Sequence, residues 1–279
     1  MSDEISENDA RTKQLLKVFK NWLAKHPYIK YEGEDNIDEL LMYFLRSKKY
    51  KMESVFESFE FGAKFIKSRP QFYENPGPHD YEFTTKENSP VIFLKKRDSQ
   101  NRRIYIYRIK HFESFKDVKF FRNVFLTPFF MSFVVETQLS GIVVIVDFRG
   151  INMNKARKIP LKTILDAARV TKIAGSRLKQ FNLVGMPAYF KPIYEIAKAF
   201  TSSKVISRIN FLSSMDELST VMDVSILPED YGGTMNDLLD YSEFEEGVKF
   251  VNQINKLNVN LKKLKKFEGI KDLTELEID

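Results

Sequence analysis

Residues 142–148 read Ile-Val-Val-Ile-Val-Asp-Phe, five β-branched residues in succession behind Gly141. A strand with one wet face alternates apolar and polar residues, whereas an unbroken apolar run marks a strand buried on both faces. This run therefore requires a sheet covered on each side by other layers, which excludes a helical bundle and an open one-sided sheet. Val91–Leu94 and Arg103–Ile109 read as further strands around a polar turn at Asp98–Arg102, and Phe181–Val184 and Val205–Leu212 as two more. Between them lie helical patterns. Phe115–Gln138 carries Phe at 115, 120, 121, 125, 129, 130 and 133 and is interrupted by Pro128. Pro160–Ala174 and Pro187–Ser202 follow, with Met215–Met222 and Asn236–Leu257 after the last strand. Strands alternating with helices imply crossover connections and an α/β fold with a mixed, largely parallel sheet.

The segment ahead of the sheet differs. Residues 1–8 read as a leader without a secretory signal. Helical spacing then predicts Asp9–Lys25, a second helix capped by Asp35 or Asn36, and a third over Met52–Lys67. Glu74-Asn75-Pro76-Gly77-Pro78 is a linker. The expected organisation is an all-helical N-terminal subdomain over 1–75, the α/β domain over 76–240, and a C-terminal helix and charged tail over 241–279.

The chain of 279 residues has no Cys, which excludes disulfides, thiolate nucleophiles and cysteine-ligated metals. The three histidines, His26, His79 and His111, form no ligand pattern and read as surface or loop residues. No phosphate-cradling glycine loop, dinucleotide fingerprint or nucleophile elbow is present. Asp147, at the end of the buried strand, is the one position suited to a catalytic base. It serves equally to cap the next loop or pair with Arg149, and the lack of partner groups favours that reading. No catalytic residue, metal or cofactor is expected. The net charge of +6 is modest and both signs are spread along the chain, which suits an anionic surface better than nucleic acid.

Pro187–Phe200 is apolar around most of a helix: Tyr189, Phe190, Ile193, Tyr194, Ile196, Ala197 and Phe200 leave only Lys191, Glu195 and Lys198 as charges. Such a helix is either buried on nearly all sides or is a lid with an inner face on an apolar ligand and an outer face on lipid. Arg177, Lys179, Lys204 and Arg208 flank it in sequence and are expected at one end of the sheet, as a membrane-docking rim.

Several segments in order resemble the CRAL-TRIO lipid-binding family, the family of alpha-tocopherol transfer protein and cellular retinaldehyde-binding protein. They are Tyr43-Phe44-Leu45-Arg46-Ser47-Lys48-Lys49-Tyr50; Glu136-Thr137-Gln138-Leu139-Ser140-Gly141-Ile142 through Asp147-Phe148-Arg149-Gly150; Pro187 with Phe190; and Ile226-Leu227-Pro228-Glu229-Asp230-Tyr231-Gly232-Gly233. The resemblance implies a helical subdomain followed by a mixed sheet whose helices enclose one apolar cavity. It places cavity-lining residues at Phe121, Phe129, Phe133, Ile142, Val144 and Phe181, to which helical spacing adds Phe125. It places the lid at Phe190, Ile193, Tyr194 and Ala197, and phosphoinositide contacts at Arg177, Lys179, Lys204 and Arg208, with Arg46 added.

The expected function is to bind one tocopherol-, retinoid-, carotenoid- or similar isoprenoid-like lipid and to transfer it between membranes. The expected protein is a cytoplasmic monomer that visits anionic, phosphoinositide-bearing membranes and binds no nucleic acid. Two other readings remain: a phosphoinositide-binding signalling scaffold that moves no cargo, and a lipid-directed α/β enzyme with Asp147 as base.

Overall fold

The computed structural model describes residues 10–77, 89–111, 122, 126, 134–151, 154, 177–199, 201–234 and 242–264. Phe121, Phe125, Phe129 and Phe133 lie outside them, as do most of the helix expected over Phe115–Gln138 and all of Pro160–Ala174. The strands are β1 Ile29–Tyr31, β2 Val91–Phe93, β3 Arg103–Arg108, β4 Ile142–Asp147, β5 Leu178–Val184, β6 Ile209–Leu212 and β7 Leu257–Val259. The chain divides into two compact units, 1–75 with 249–279, and 76–248.

In the first unit, helices α1 (Ala10–Lys25), α2 (Asp38–Ser47) and α3 (Met52–Lys67) enclose an aromatic core. Trp22 stacks on Phe56 with ring centroids 4.5 Å apart and planes 7° from parallel, and Phe19 meets Phe59 edge-on at 5.3 Å. The subdomain is not purely helical. β1 pairs antiparallel with β7, Ile29 opposite Val259, so the segment from Lys249 belongs to this unit. The C-terminal segment expected over 241–279 thus supplies β7, a three-residue strand with no periodicity to read and a partner at the far end of the chain. His26 is also not a surface residue. It is fully buried, its Nδ1 accepts the backbone N–H groups of Tyr28 and Ile29 at 3.1 and 3.0 Å, and its Nε2 lies 3.1 Å from Glu60. Neither Asp35 nor Asn36 is the residue at the start of α2; Asn36 Oδ1 accepts from the Asp38 N–H, while Asp35 accepts from the Tyr31 hydroxyl and Lys256.

The second unit is built on a five-stranded sheet of order β2-β3-β4-β5-β6. β2 and β3 are antiparallel and the remaining pairs parallel, the mixed arrangement that crossover connections generate. Residues 205–208 are not strand. Ser202 caps a single helical turn, Ser203–Ile206, and only Ile209–Leu212 pairs with β5. The apolar Val205 and Ile206 look like strand residues in sequence, but the Ser202 cap decides the local geometry.

Alternation along each strand, combined with the registers, sorts the sheet into two faces. Ile92, Leu94, Ile104, Ile106, Val143, Ile145, Val184 and Leu212 form one core cluster with Leu218, Ile226, Leu227 and Tyr231 from the segment after β6. This is the sealed face. The other face carries the rows Phe93–Tyr105–Val144–Phe181–Ile209 and Val91–Tyr107–Val146–Leu183–Phe211. Ile145 is completely buried at the centre of the sealed face, so Ile145→Ala should destabilise the domain by about 2–5 kcal/mol in urea unfolding.

Candidate functional site

The open face is a graded apolar wall. Val91, Phe93, Tyr105, Ile142, Val144 and Leu183 are buried, but towards β6 the cover thins. Phe181 and Ile209 are half-buried, and Phe211 is 49% exposed, a large apolar side chain facing out from an edge strand. The expected cavity residues Ile142, Val144 and Phe181 therefore share this face; Phe121, Phe125, Phe129 and Phe133 are outside the described residues.

Above the thin end lies helix Lys191–Lys198. It has no fully buried residue, and Ile196 is 43% exposed, so the reading of a helix buried on nearly all sides is excluded. Ile193, Tyr194 and Ala197 are half-buried, and the Tyr194 ring meets the Phe211 ring edge-on at 4.9 Å. Phe190 is not part of this helix. It sits in a 3-10 turn, Ala188–Phe190, and is buried against Phe148 at 5.1 Å, anchoring the start of the helix. Pro192 in the first helical turn explains the break, since proline is suited to that position and lacks the N–H a longer helix would use.

The basic residues Arg177, Lys179 and Arg208 lie at the amino ends of the parallel strands. Arg177 Nη1 donates to the Leu139 carbonyl at 2.9 Å, and Arg208 Nη1 donates to the Leu178 carbonyl. Gly141 makes this crowding possible. Its φ is +95°, and a Cβ there would stand 2.3 Å from the Arg177 carbonyl and 2.7 Å from Lys179 Cγ. Lys204 is exposed on the helical turn that leads into Arg208. Arg46 does not join a surface patch: it belongs to the first unit and is 3% exposed, within the buried face of α2.

At the opposite, carboxyl ends of the strands, Asp147 is 2% exposed and fully committed. Arg149 Nε and Nη2 donate to its two oxygens at 2.9 and 2.8 Å, the Arg149 N–H adds a third bond at 2.9 Å, and the Tyr231 hydroxyl donates at 2.9 Å. Burial opposes ionisation, yet the bonds and charge of Arg149 with the Tyr231 bond outweigh it and hold the carboxyl below its usual range. Burial, then the Asp147 charge, push the Tyr231 phenol up, so it remains a donor. A carboxylate already engaged in this way has no free oxygen poised as a base. Lys110, Asp147, Arg149, Gly150 and Asp230 line a small open pocket of about 230 Å³ here, balanced in charge. The two motifs that meet in this contact are 84 positions apart, and sequence spacing gave no sign of it.

A family model described as the CRAL/TRIO domain matches residues 87–233, more than half of the chain. The chain belongs to the CRAL-TRIO family of lipid-binding proteins. Among curated proteins it is 25% identical over 248 residues to the mouse alpha-tocopherol transfer protein-like protein, covering 85% of this chain and 69% of that one. It is 26% identical over 212 residues to the human protein of the same name, covering 72% of this chain and 60% of that one. The crystal structure of Sfh5 superposes with a TM-score of 0.55 over 89% of this chain and 98% of that chain at 14% identity, a likeness of fold.

Asp147→Asn leaves Arg149 without its ionic partner. Arg149 is 39% exposed, so the expected loss at neutral pH is about 2 kcal/mol, below the range for a fully buried pair. Because the folded-state pKa of Asp147 is lowered, its contribution is present above the unfolded pKa and lost as pH falls through the folded one. The gap between wild type and variant in urea unfolding should therefore close at strongly acidic pH.

Proposed function

We propose that this chain binds one hydrophobic small molecule against the open face of the sheet and transfers it between membranes, acting as a cytoplasmic monomer with no catalytic step. The observation that carries the reading is the pairing of a graded apolar wall with a helix that buries none of its own residues. Covering the Phe181, Ile209 and Phe211 end of that wall with a lipid removes apolar area from water, favourable by about 25 cal/mol per Å². Release then needs a competing apolar phase, which a bilayer supplies. The family and the names of the curated relatives favour a tocopherol-like or other isoprenoid-like cargo, for which an aromatic and β-branched wall is suited. Arg177, Lys179, Lys204 and Arg208 are assigned to anionic or phosphoinositide head groups, each worth about 1 kcal/mol near such a surface.

The test is transfer of a fluorescent tocopherol analogue from donor to acceptor vesicles. The chain should speed transfer well above the protein-free rate, and phosphoinositide in the acceptor should speed it further. Lys204→Glu changes an exposed residue and should weaken binding to phosphoinositide vesicles by about tenfold, leaving neutral vesicles unaffected. Phosphoinositide binding without any acceleration of transfer would replace the carrier reading with a scaffold.

A further inference from the structure

The pocket at the carboxyl ends of the strands, lined by Lys110, Asp147, Arg149, Gly150 and Asp230, is built but not filled by its own charges. At about 230 Å³ it lies below the range of drug-sized sites, which limits its occupant to a small molecule. The buried Asp147 and its partner Arg149 form a neutral floor. That leaves Lys110 and Asp230, two exposed side chains of opposite charge on the same space. Among the described residues, neither of these side chains makes a hydrogen bond or an ion pair.

Arg149 adds a third open group. Its Nε and Nη2 donate to Asp147, and Nη2 also to the Asp230 carbonyl at 3.3 Å, whereas Nη1 has no partner among the described residues. The Lys110 stem runs alongside Gly150, where a Cβ would stand 3.6 Å from Lys110 Cδ, so the ammonium is carried by a stem packed on the turn after Asp147. His111 senses the same groups; burial, then Arg108 and Lys110, lower its pKa, and it adds no charge at neutral pH. The pocket thus presents one ammonium and one guanidinium N–H as donors and one carboxylate as acceptor.

We propose that this pocket binds a small zwitterion, its phosphate held by Lys110 and Arg149 Nη1 and its ammonium by Asp230. A simple anion would meet Asp230 as well as Lys110, and a simple cation the reverse, so a ligand carrying both charges gains most. A phosphate has enough acceptor oxygens to meet a lysine and an arginine N–H together. Phosphoethanolamine is a minimal molecule of this class, and the same group occurs as a glycerol diester in phospholipid head groups. The site lies at the opposite end of the sheet from the basic edge and does not depend on the carrier reading.

The test titrates the full chain with phosphoethanolamine, inorganic phosphate and ethanolamine, followed by NMR of the backbone amides. Phosphoethanolamine should shift the amides of Lys110, Gly150 and Asp230 and bind about fivefold more tightly than phosphate or ethanolamine alone. Lys110→Ala and Asp230→Asn change exposed residues and should leave the melting temperature unchanged. Each should weaken phosphoethanolamine by about fivefold, while Asp230→Asn should strengthen inorganic phosphate. Glycerophosphoethanolamine separates the sources: tighter binding of the diester points to a phospholipid head group, and tighter binding of the monoester to a free metabolite, either of which supports the site. No shift at these amides, phosphate binding as tightly as phosphoethanolamine, or an affinity that neither substitution changes would overturn the proposal.

Discussion

A strand carries two rows of side chains, and in this sheet both rows are apolar, so both faces demand cover. The chain meets that demand in two different ways. One face is closed for good by the segment after β6, whose Leu218, Ile226, Leu227 and Tyr231 interlock with the strands. The buried Asp147 fixes that segment in place by holding Tyr231 from the end of β4. The other face is closed tightly over β2 to β4 and loosely over β5 and β6, where Phe211 remains half exposed beneath a short helix. A molecule with incomplete self-cover over an apolar wall has a standing affinity for another apolar body, and the proposed lipid binding rests on that asymmetry.

The two ends of the sheet divide the remaining work. At the carboxyl ends, where α/β enzymes hold their substrates, charges are cancelled: Asp147 with Arg149, and Lys110 beside Asp230. At the amino ends, Arg177 and Arg208 bond to backbone carbonyls and Lys204 is exposed, giving a basic edge. Asp147 there serves as a clasp between the end of β4 and Tyr231.

Much of this was legible in the sequence. The β-branched run at 142–146 marks a doubly covered strand, the spacing over Met52–Lys67 matches the helix that forms, and Asp147, expected to cap the next loop or pair with Arg149, does so. What was missed depends on distant or local detail that periodicity does not carry. β1 and β7 specify nothing alone and exist because Ile29 meets Val259. His26 lies in a loop, as expected, but its burial follows from the backbone amides it accepts, which are set by the turn it closes. The turn at Ser203–Ile206 hid within apolar residues, and Phe190 was grouped with a helix that begins one residue later.

The most direct check on the two-face account is photo-crosslinking with a diazirine-bearing lipid, with labelled positions located by mass spectrometry. Adjacent residues on β5 and β6 point to opposite faces, so the label reads the account one residue at a time. Saturable labelling of Phe181, Ile209 and Phe211, with Asn182, Asn210 and Leu212 untouched, is the predicted pattern. Labelling of the second set, or of neither set above background, would contradict it.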